Sequence, residues 1–185
     1  MKTSCDFLIV GSGIGGLSFA IRAAEAGSVI MITKKTDSES NSNYAQGGIA
    51  CVLDPHDSFE SHIRDTLVSG AGLCNEEAVR ILVNEAPQRI EELIGWGTHF
   101  STSRTSNAPH HLDLGREGGH SANRIVHTRD LTGRAVEESL LARLRKMRNV
   151  TMYENHCAVE LITNHHVAGP SRQRILRISS SSSVG

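Results

Sequence analysis

The sequence predicts an α/β protein built on a parallel, doubly wound sheet, and three observations carry that prediction. A short apolar run, Cys5-Asp6-Phe7-Leu8-Ile9-Val10, is followed at once by the glycine turn Gly11-Ser12-Gly13-Ile14-Gly15-Gly16. An amphipathic stretch then leads to a second apolar run, Ser28-Val29-Ile30-Met31-Ile32-Thr33. Up to Val167, helical spacings continue to alternate with short β-branched runs, as stacked βα units require.

Cys5 to Val10 reads as a fully buried parallel strand. Leu17 to Ala26 reads as a helix, because Ile14, Leu17, Ile21 and Ala24 fall on one face, and Gly27 ends it. The G-x-G-x-x-G between strand and helix is the pattern of a dinucleotide fold. There Gly11 makes the tight turn, Gly13 admits a pyrophosphate to the backbone, and Gly16 lets the helix lie close on the sheet. A glycine-rich turn without a ligand is the plain alternative, and the strand before and helix after it argue against that. The acid that usually binds a ribose 2′-hydroxyl is missing from the end of the second strand, where Thr33-Lys34-Lys35 stands. That cationic end suits a 2′-phosphate, or a flavin dinucleotide held by other contacts, and the residues alone leave both open.

A chain of 185 residues can bury one good core, since domains commonly run to ~100–150 residues. With 19 basic and 20 acidic residues the net charge is −1, which implies neither a nucleic-acid nor an anionic-membrane partner. An aromatic fraction of 4% is too sparse for base-stacking surfaces. Cys5, Cys51, Cys74 and Cys157 form no C-x-x-C pair and read as reduced thiols rather than a disulfide framework or zinc site. The first apolar run is cut by glycine, and nothing approaches the ~18 apolar residues of a membrane span, so a soluble, cytoplasmic protein is expected.

Thr36 to Asn43 is a polar loop leading into Tyr44-Ala45-Gln46-Gly47-Gly48-Ile49-Ala50-Cys51-Val52, where Ile49 to Val52 can return as a strand. Such loops are commonly mere connections, but this one follows a dinucleotide strand and is placed to wrap a cofactor. Asp57-Ser58 opens a helix with Phe59, Ile63, Thr66 and Leu67 on one face, stopped by Gly70-Ala71-Gly72. Asn75 caps the next helix, with Glu76 and Glu77 at its positive end; Pro87 inside it predicts a kink or two shorter helices. A loop over 101–111 precedes the polar cluster Arg116-Glu117-Gly118-Gly119-His120-Ser121, with Arg124, His127, Arg129 and Asp130 after it. Thr132-Gly133-Arg134 leads a helix whose buried face is Val136, Leu140, Leu141 and Leu144; Val150–Tyr153 and Ala158–Ile162 read as strands. Residues 1–167 thus form the first part of a nucleotide-binding domain whose sheet is incomplete toward the C-terminus. From Ala168 the pattern changes to Gly-Pro-Ser-Arg-Gln-Arg, Ile-Leu-Arg-Ile and five serines, and 168–185 reads as an aberrant or disordered tail.

The glycine turn, the Tyr44 to Ala50 segment and the Arg116 to Ser121 segment together resemble the flavoproteins of the succinate dehydrogenase and fumarate reductase group. Tyr44, Asp65-Thr66-Leu67, Gly70-Ala71-Gly72-Leu73-Cys74, His127 and Thr132-Gly133-Arg134 look most like the L-aspartate oxidase branch, over about residues 4–166. The resemblance implies a Rossmann-like FAD-binding domain. Ser12, Gly13, Ile14 and Gly15 would hold the pyrophosphate, with Lys34 near the adenosine. Asn41, Ser42, Asn43, Tyr44, Ala45, Gln46, Gly47 and Gly48 would run past the isoalloxazine, and Cys157 and Ala158 would offer backbone contacts to adenine. In the dehydrogenase branch a histidine five residues before the glutamine carries a covalent flavin; Asn41 stands there, so FAD is expected to be non-covalent.

The implied reaction is oxidation of L-aspartate to iminoaspartate, with oxygen or fumarate as electron acceptor. The product feeds quinolinate and NAD synthesis, with quinolinate synthase as a pathway partner. The family glutamate that orients the substrate matches Glu117, whose plain reading is a surface salt bridge with Arg116 or Arg124. His120 and His127 are taken as ordinary hydrogen-bonding residues, and the pairs His110-His111 and His165-His166 lack further ligands for a metal. Family chains are longer: the cap domain and the proton-shuttling arginine lie beyond the matched part, so this stretch is expected to be inactive alone. A fumarate reductase-type enzyme and an inert fragment remain the other readings.

Overall fold

The computed structural model describes residues 3–36, 40–129 and 131–162, and the backbone of 175–180; Asp130, His165 and His166 lie outside the described residues. Its strands are β1 (Phe7–Val10), β2 (Val29–Ile32), β3 (Ile49–Ala50), β4 (Leu114–Gly115), β5 (Ile125–Val126), β6 (Val150–Tyr153), β7 (His156–Ile162) and β8 (Ile175–Ser180). Its helices are α1 (Ile14–Ala23), α2 (Phe59–Ser69), α3 (Glu76–Gly95) and α4 (Thr132–Leu144). The chain divides into two units, Met1–Asn43 with Leu140–Gly185, and Tyr44–Ser139.

In the first unit β1, β2 and β6 form a parallel sheet in the order β1-β2-β6, with Phe7 beside Val29 and Val29 beside Val150. This is the predicted α/β nucleotide-binding sheet. All four residues of β2 are buried, as a β-branched run between two neighbours should be. The expectation for β1 needs correcting: only Ile9 is buried, while Leu8 is 38% and Val10 61% exposed. Helix α1 covers the Ile9 face, and among the described residues no strand pairs with the other edge of β1.

Gly11 has φ +104°, the left-handed region that a side chain resists, and a Cβ on Gly16 would run into the Gly11 carbonyl oxygen. The turn therefore needs glycine at both places, one for its backbone angle and the other for close approach. Leu17, Ala20 and Ile21 face the sheet. At the far end of α1, the Asn149 amide donates to the carbonyls of Ala24 (2.6 Å) and Gly27 (2.8 Å), fastening the chain before β6 to the end of the helix. The α4 face Val136, Leu140, Leu141 and Leu144 is buried as its spacing predicts. Strands β7 and β8 pair antiparallel, so part of 168–185 has strand backbone.

In the second unit, short strands pair antiparallel in the order β3-β5-β4, and α2 packs on α3. Ser58 Oγ accepts from Ser61 N–H at 3.2 Å and Asn75 Oδ1 from Ala78 N–H at 3.0 Å, the two caps the sequence places there. Pro87 does not divide α3 into two helices; one helix runs from Glu76 to Gly95 through it. The missing proline N–H forfeits one rung, and burial of Val83, Ala86, Ile90 and Leu93 holds the turns on either side. Among the described residues no helix is long and apolar enough to cross a membrane.

Candidate functional site

The first unit presents the start of α1 at the C-terminal ends of β1 and β2. The N-cap is Gly13, which has no side chain to cap the helix, and no acid occupies the first turn. The positive end of α1 therefore has no intrinsic counter-charge. Ser42 Oγ accepts from Ile14 N–H at 3.3 Å, and open space lies where a Cβ on Gly15 would point. Ser12 is buried, and its hydroxyl donates to Thr33 Oγ1 at 3.1 Å, locking the turn to the end of β2. Lys34 and Asn41 are exposed. Beside the end of β2 the chain crosses from β6 to β7: Thr33 N–H donates to Tyr153 O (3.0 Å) and His156 N–H to Thr33 O (2.9 Å). Cys157, exposed, and Ala158, half-buried, follow directly and so lie close to the strand end that carries Lys34.

Asn43 N–H and Ser42 N–H turn back on Ser40, leading into the segment Tyr44 to Gly48. In the second unit that segment is held at both ends. Gly133 N–H, at the start of α4, donates to Ala45 O at 3.2 Å, and Gly48 N–H donates to Glu117 Oε1 at 3.4 Å. Tyr44, Ala45, Gln46 and Gly47 remain exposed in this segment. A Cβ on Gly48 would collide with Ile125 and the Val126 carbonyl, so the loop lies flat on β5. The structure thus brings together three stretches that are far apart in sequence, around Ala45–Gly48, Glu117 and Gly133.

Of the two salt bridges in the plain reading of Glu117, with Arg116 or Arg124, the one with Arg124 does not form, because Arg124 is engaged elsewhere. Arg124 is fully buried, its Nε and Nη2 forked on Asp57 (2.8 Å each) and its Nη1 2.7 Å from Asp65 Oδ2. Burial works against the Arg124 charge, but bonds to both carboxylates and their charges raise its pKa above the usual value. Burial alone would raise the Asp65 carboxyl; hydrogen bonds from the Ser121 N–H and hydroxyl and from Arg124 outweigh it and bring it to about 2. His62 is buried against the His120 ring, with centroids 5.5 Å apart. Burial and then the Arg124 charge lower its pKa. His127 lies 3.7 Å from Asp113.

This network was not foreseen from the sequence. The signal was available: Asp57, Ser61 and Asp65 recur every four residues, a polar stripe on one helical face, and all three meet Arg124. Cys51, whose N–H donates to Arg124 O at 2.8 Å, is buried; burial and then the Glu91 charge push its thiol up to about 12.

Residues 6–183 match the family model described as FAD binding domain. The chain belongs to this family. FAD is its cofactor, and of the two dinucleotides left open by Thr33-Lys34-Lys35 the flavin is the right one. The start of α1 fits it: a glycine N-cap, no acid in the first turn and free space beside Gly15 leave room for a pyrophosphate. Among curated proteins, this FAD binding domain is 48% identical over 159 residues to "L-aspartate oxidase, chloroplastic" of Arabidopsis thaliana, covering 86% of this chain and 24% of that protein. It is 43% identical over 170 residues to the L-aspartate oxidase of Vibrio cholerae, covering 91% and 32%. The chain therefore spans about a quarter to a third of the length of these relatives. Among solved structures, a mutant of the E. coli quinol fumarate reductase FrdA superposes with a TM-score of 0.80 at 29% identity, over 89% of this chain and 28% of that one. The Mycobacterium smegmatis Sdh1 complex in its apo form gives 0.77 at 25%, over 85% and 29%.

Proposed function

We propose that these residues are the amino-terminal FAD-binding part of an L-aspartate oxidase, which converts L-aspartate to iminoaspartate. The observation that carries the reading is the Glu117 carboxylate seated on the Gly48 amide. It is a fixed anion beside the exposed Ala45–Gly47 backbone, in a chain 48% identical to a named L-aspartate oxidase. When bound, FAD supplies the two-electron acceptor. The chain's own residues supply binding and orientation. Ser12, Gly13, Ile14 and Gly15 would hold the pyrophosphate, the Ile14 N–H exchanging Ser42 Oγ for it, Lys34 would lie near the adenosine, and Cys157 and Ala158 would meet adenine through their backbone. Asn41 to Gly48 would run past the flavin. Glu117 holds the substrate ammonium, a group succinate lacks, and so selects an amino acid over a plain dicarboxylate.

Asn41 offers no imidazole for a covalent link, so FAD is held non-covalently and acid precipitation releases it into the supernatant. Oxygen or fumarate reoxidises the protein, and quinolinate synthase is the partner that takes the product. Four free thiols suit a reducing compartment, and the cytoplasm is the one proposed. Residues 1–167 provide the nucleotide module. The cap and proton-shuttling arginine belong to the remainder of the family's length, and this stretch by itself turns over no aspartate.

The test is peroxide release from L-aspartate by the FAD-loaded full-length protein. Glu117→Gln should raise KM for L-aspartate about tenfold or more, the loss of one charge-assisted contact. The superposition on FrdA favours one other reading, a fumarate reductase-type enzyme. Fumarate reduction without any aspartate oxidation would decide for it.

A further inference from the structure

Glu117 sits on the exposed turn that joins β4 to β5, between Gly115 and Arg124. Residues 116–119 are all exposed and include two adjacent glycines, Gly118 and Gly119, the second at φ +86°. Such a turn has little packing of its own to hold a carboxylate in place. What holds it is polar, and it is rooted in one buried cation, Arg124. Arg124 N–H closes the base of the turn on Gly115 O at 3.0 Å. On the other limb, Ser121 donates to Asp65 Oδ2 through its N–H (2.8 Å) and its hydroxyl (2.7 Å). Ser121 Oγ is also 3.0 Å from Ser61 Oγ. The same Asp65 oxygen receives Arg124 Nη1, while the rest of the guanidinium is forked on Asp57, so Asp65 is not free to swing away from the turn. His120 Nδ1, 3.4 Å from Nη1, brings the contact to within three residues of Glu117.

We propose that Arg124 is a positioning residue for Glu117: sealed between Asp57 and Asp65, it clamps the 115–124 turn onto α2 and so presents the Glu117 carboxylate at the Gly48 amide. The inference rests on the reading of Glu117 as the substrate-orienting group. A buried ion pair is a poor source of net stability, because desolvation offsets most of the attraction; what it supplies is a fixed geometry. The planar fork does this better than a point charge would, and it cannot lose its proton.

The experiment compares Arg124→Lys, which keeps the charge and loses the fork, with Glu117→Gln in the FAD-loaded full-length protein. Both should raise KM for L-aspartate about tenfold while leaving kcat within about threefold. Reduction of fumarate by the Arg124→Lys protein, which has no ammonium to place in that substrate, should stay within about twofold. In Arg124→Lys, backbone amide exchange over 115–121 should quicken about tenfold with α3 unchanged. If Glu117→Gln raises KM and Arg124→Lys changes neither KM nor exchange, the positioning role is overturned. An equal loss of aspartate oxidation and fumarate reduction in Arg124→Lys marks a merely structural residue and overturns it too. A Glu117→Gln protein with unchanged KM overturns the reading of Glu117, and the inference with it. Should the lysine variant fail to fold, Asp65→Asn, which still accepts from Ser121 but loses its charge to Arg124, is read in the same way.

Discussion

The start of α1 and the turn that carries Glu117, the two places proposed to meet a ligand, are built from different materials. At α1 the working parts are backbone amides, and the side chains have been pared away: Gly13 caps nothing and Gly16 admits the Gly11 carbonyl. At the turn the working part is a side chain, and its support is a set of buried charges on Asp57, Asp65 and Arg124. The first place is damaged by adding atoms and the second by removing charges. That contrast can be broken by measurement.

Arg124→Ala should cost the most, about 3–5 kcal/mol in urea unfolding, because two carboxylates are left buried without their cation. Replacing Asp57, Asp65 and Arg124 together by apolar residues should cost far less; an equal cost would mean packing, and not charge, is what the network contributes. Gly16→Ala should cost about 1–3 kcal/mol through overlap with the Gly11 carbonyl, and should weaken FAD binding in a fluorescence titration. No comparable loss of FAD binding is expected from Asn75→Ala, which removes the α3 cap for about 1 kcal/mol. Lys34→Ala, exposed at the end of β2, should alter stability by less than about 0.5 kcal/mol.

Acid should separate the two regions as well. The Asp65 carboxyl titrates near 2 in the folded chain against an ordinary 3.8. The unfolded chain therefore takes up this proton first. Its stabilisation is complete above about pH 4 and is lost as pH falls toward 2. His62, whose pKa is lowered from 6.5, acts at milder pH: its contribution is complete above about 6.5 and declines as pH drops below that. Thermal melts from pH 7 to 5 should show this slope, and His62→Phe should flatten it. A slope unchanged by His62→Phe would place the titration elsewhere.

The same division explains how much could be read in advance. A motif made of backbone leaves its trace in consecutive residues, and Gly11 to Gly16 was legible together with the strands and helix around it. The caps at Ser58 and Asn75 and the buried face of α4 were legible for the same reason, since each depends on neighbours a few residues away. Burial of β1 was not, because it depends on what lies over its second face and edge. The support of Glu117 was missed because Asp57 and Asp65 stand 67 and 59 residues from Arg124. Each is ordinary by itself, one before a helix and one within it. Only the four-residue recurrence of Asp57, Ser61 and Asp65 hinted that α2 had a polar face turned inward.

The buried thiol next to this network bears on durability. If oxygen is the acceptor, as proposed, hydrogen peroxide is released at the protein's own surface, and peroxide attacks the thiolate form of cysteine. Cys51, pushed up to about 12 inside the second unit, holds almost no thiolate at neutral pH and offers that oxidant nothing to attack. Cys157 is exposed beside the end of β2. Such oxidative wear would spare the buried core of the second unit around Cys51, while Cys157 stands open to solvent.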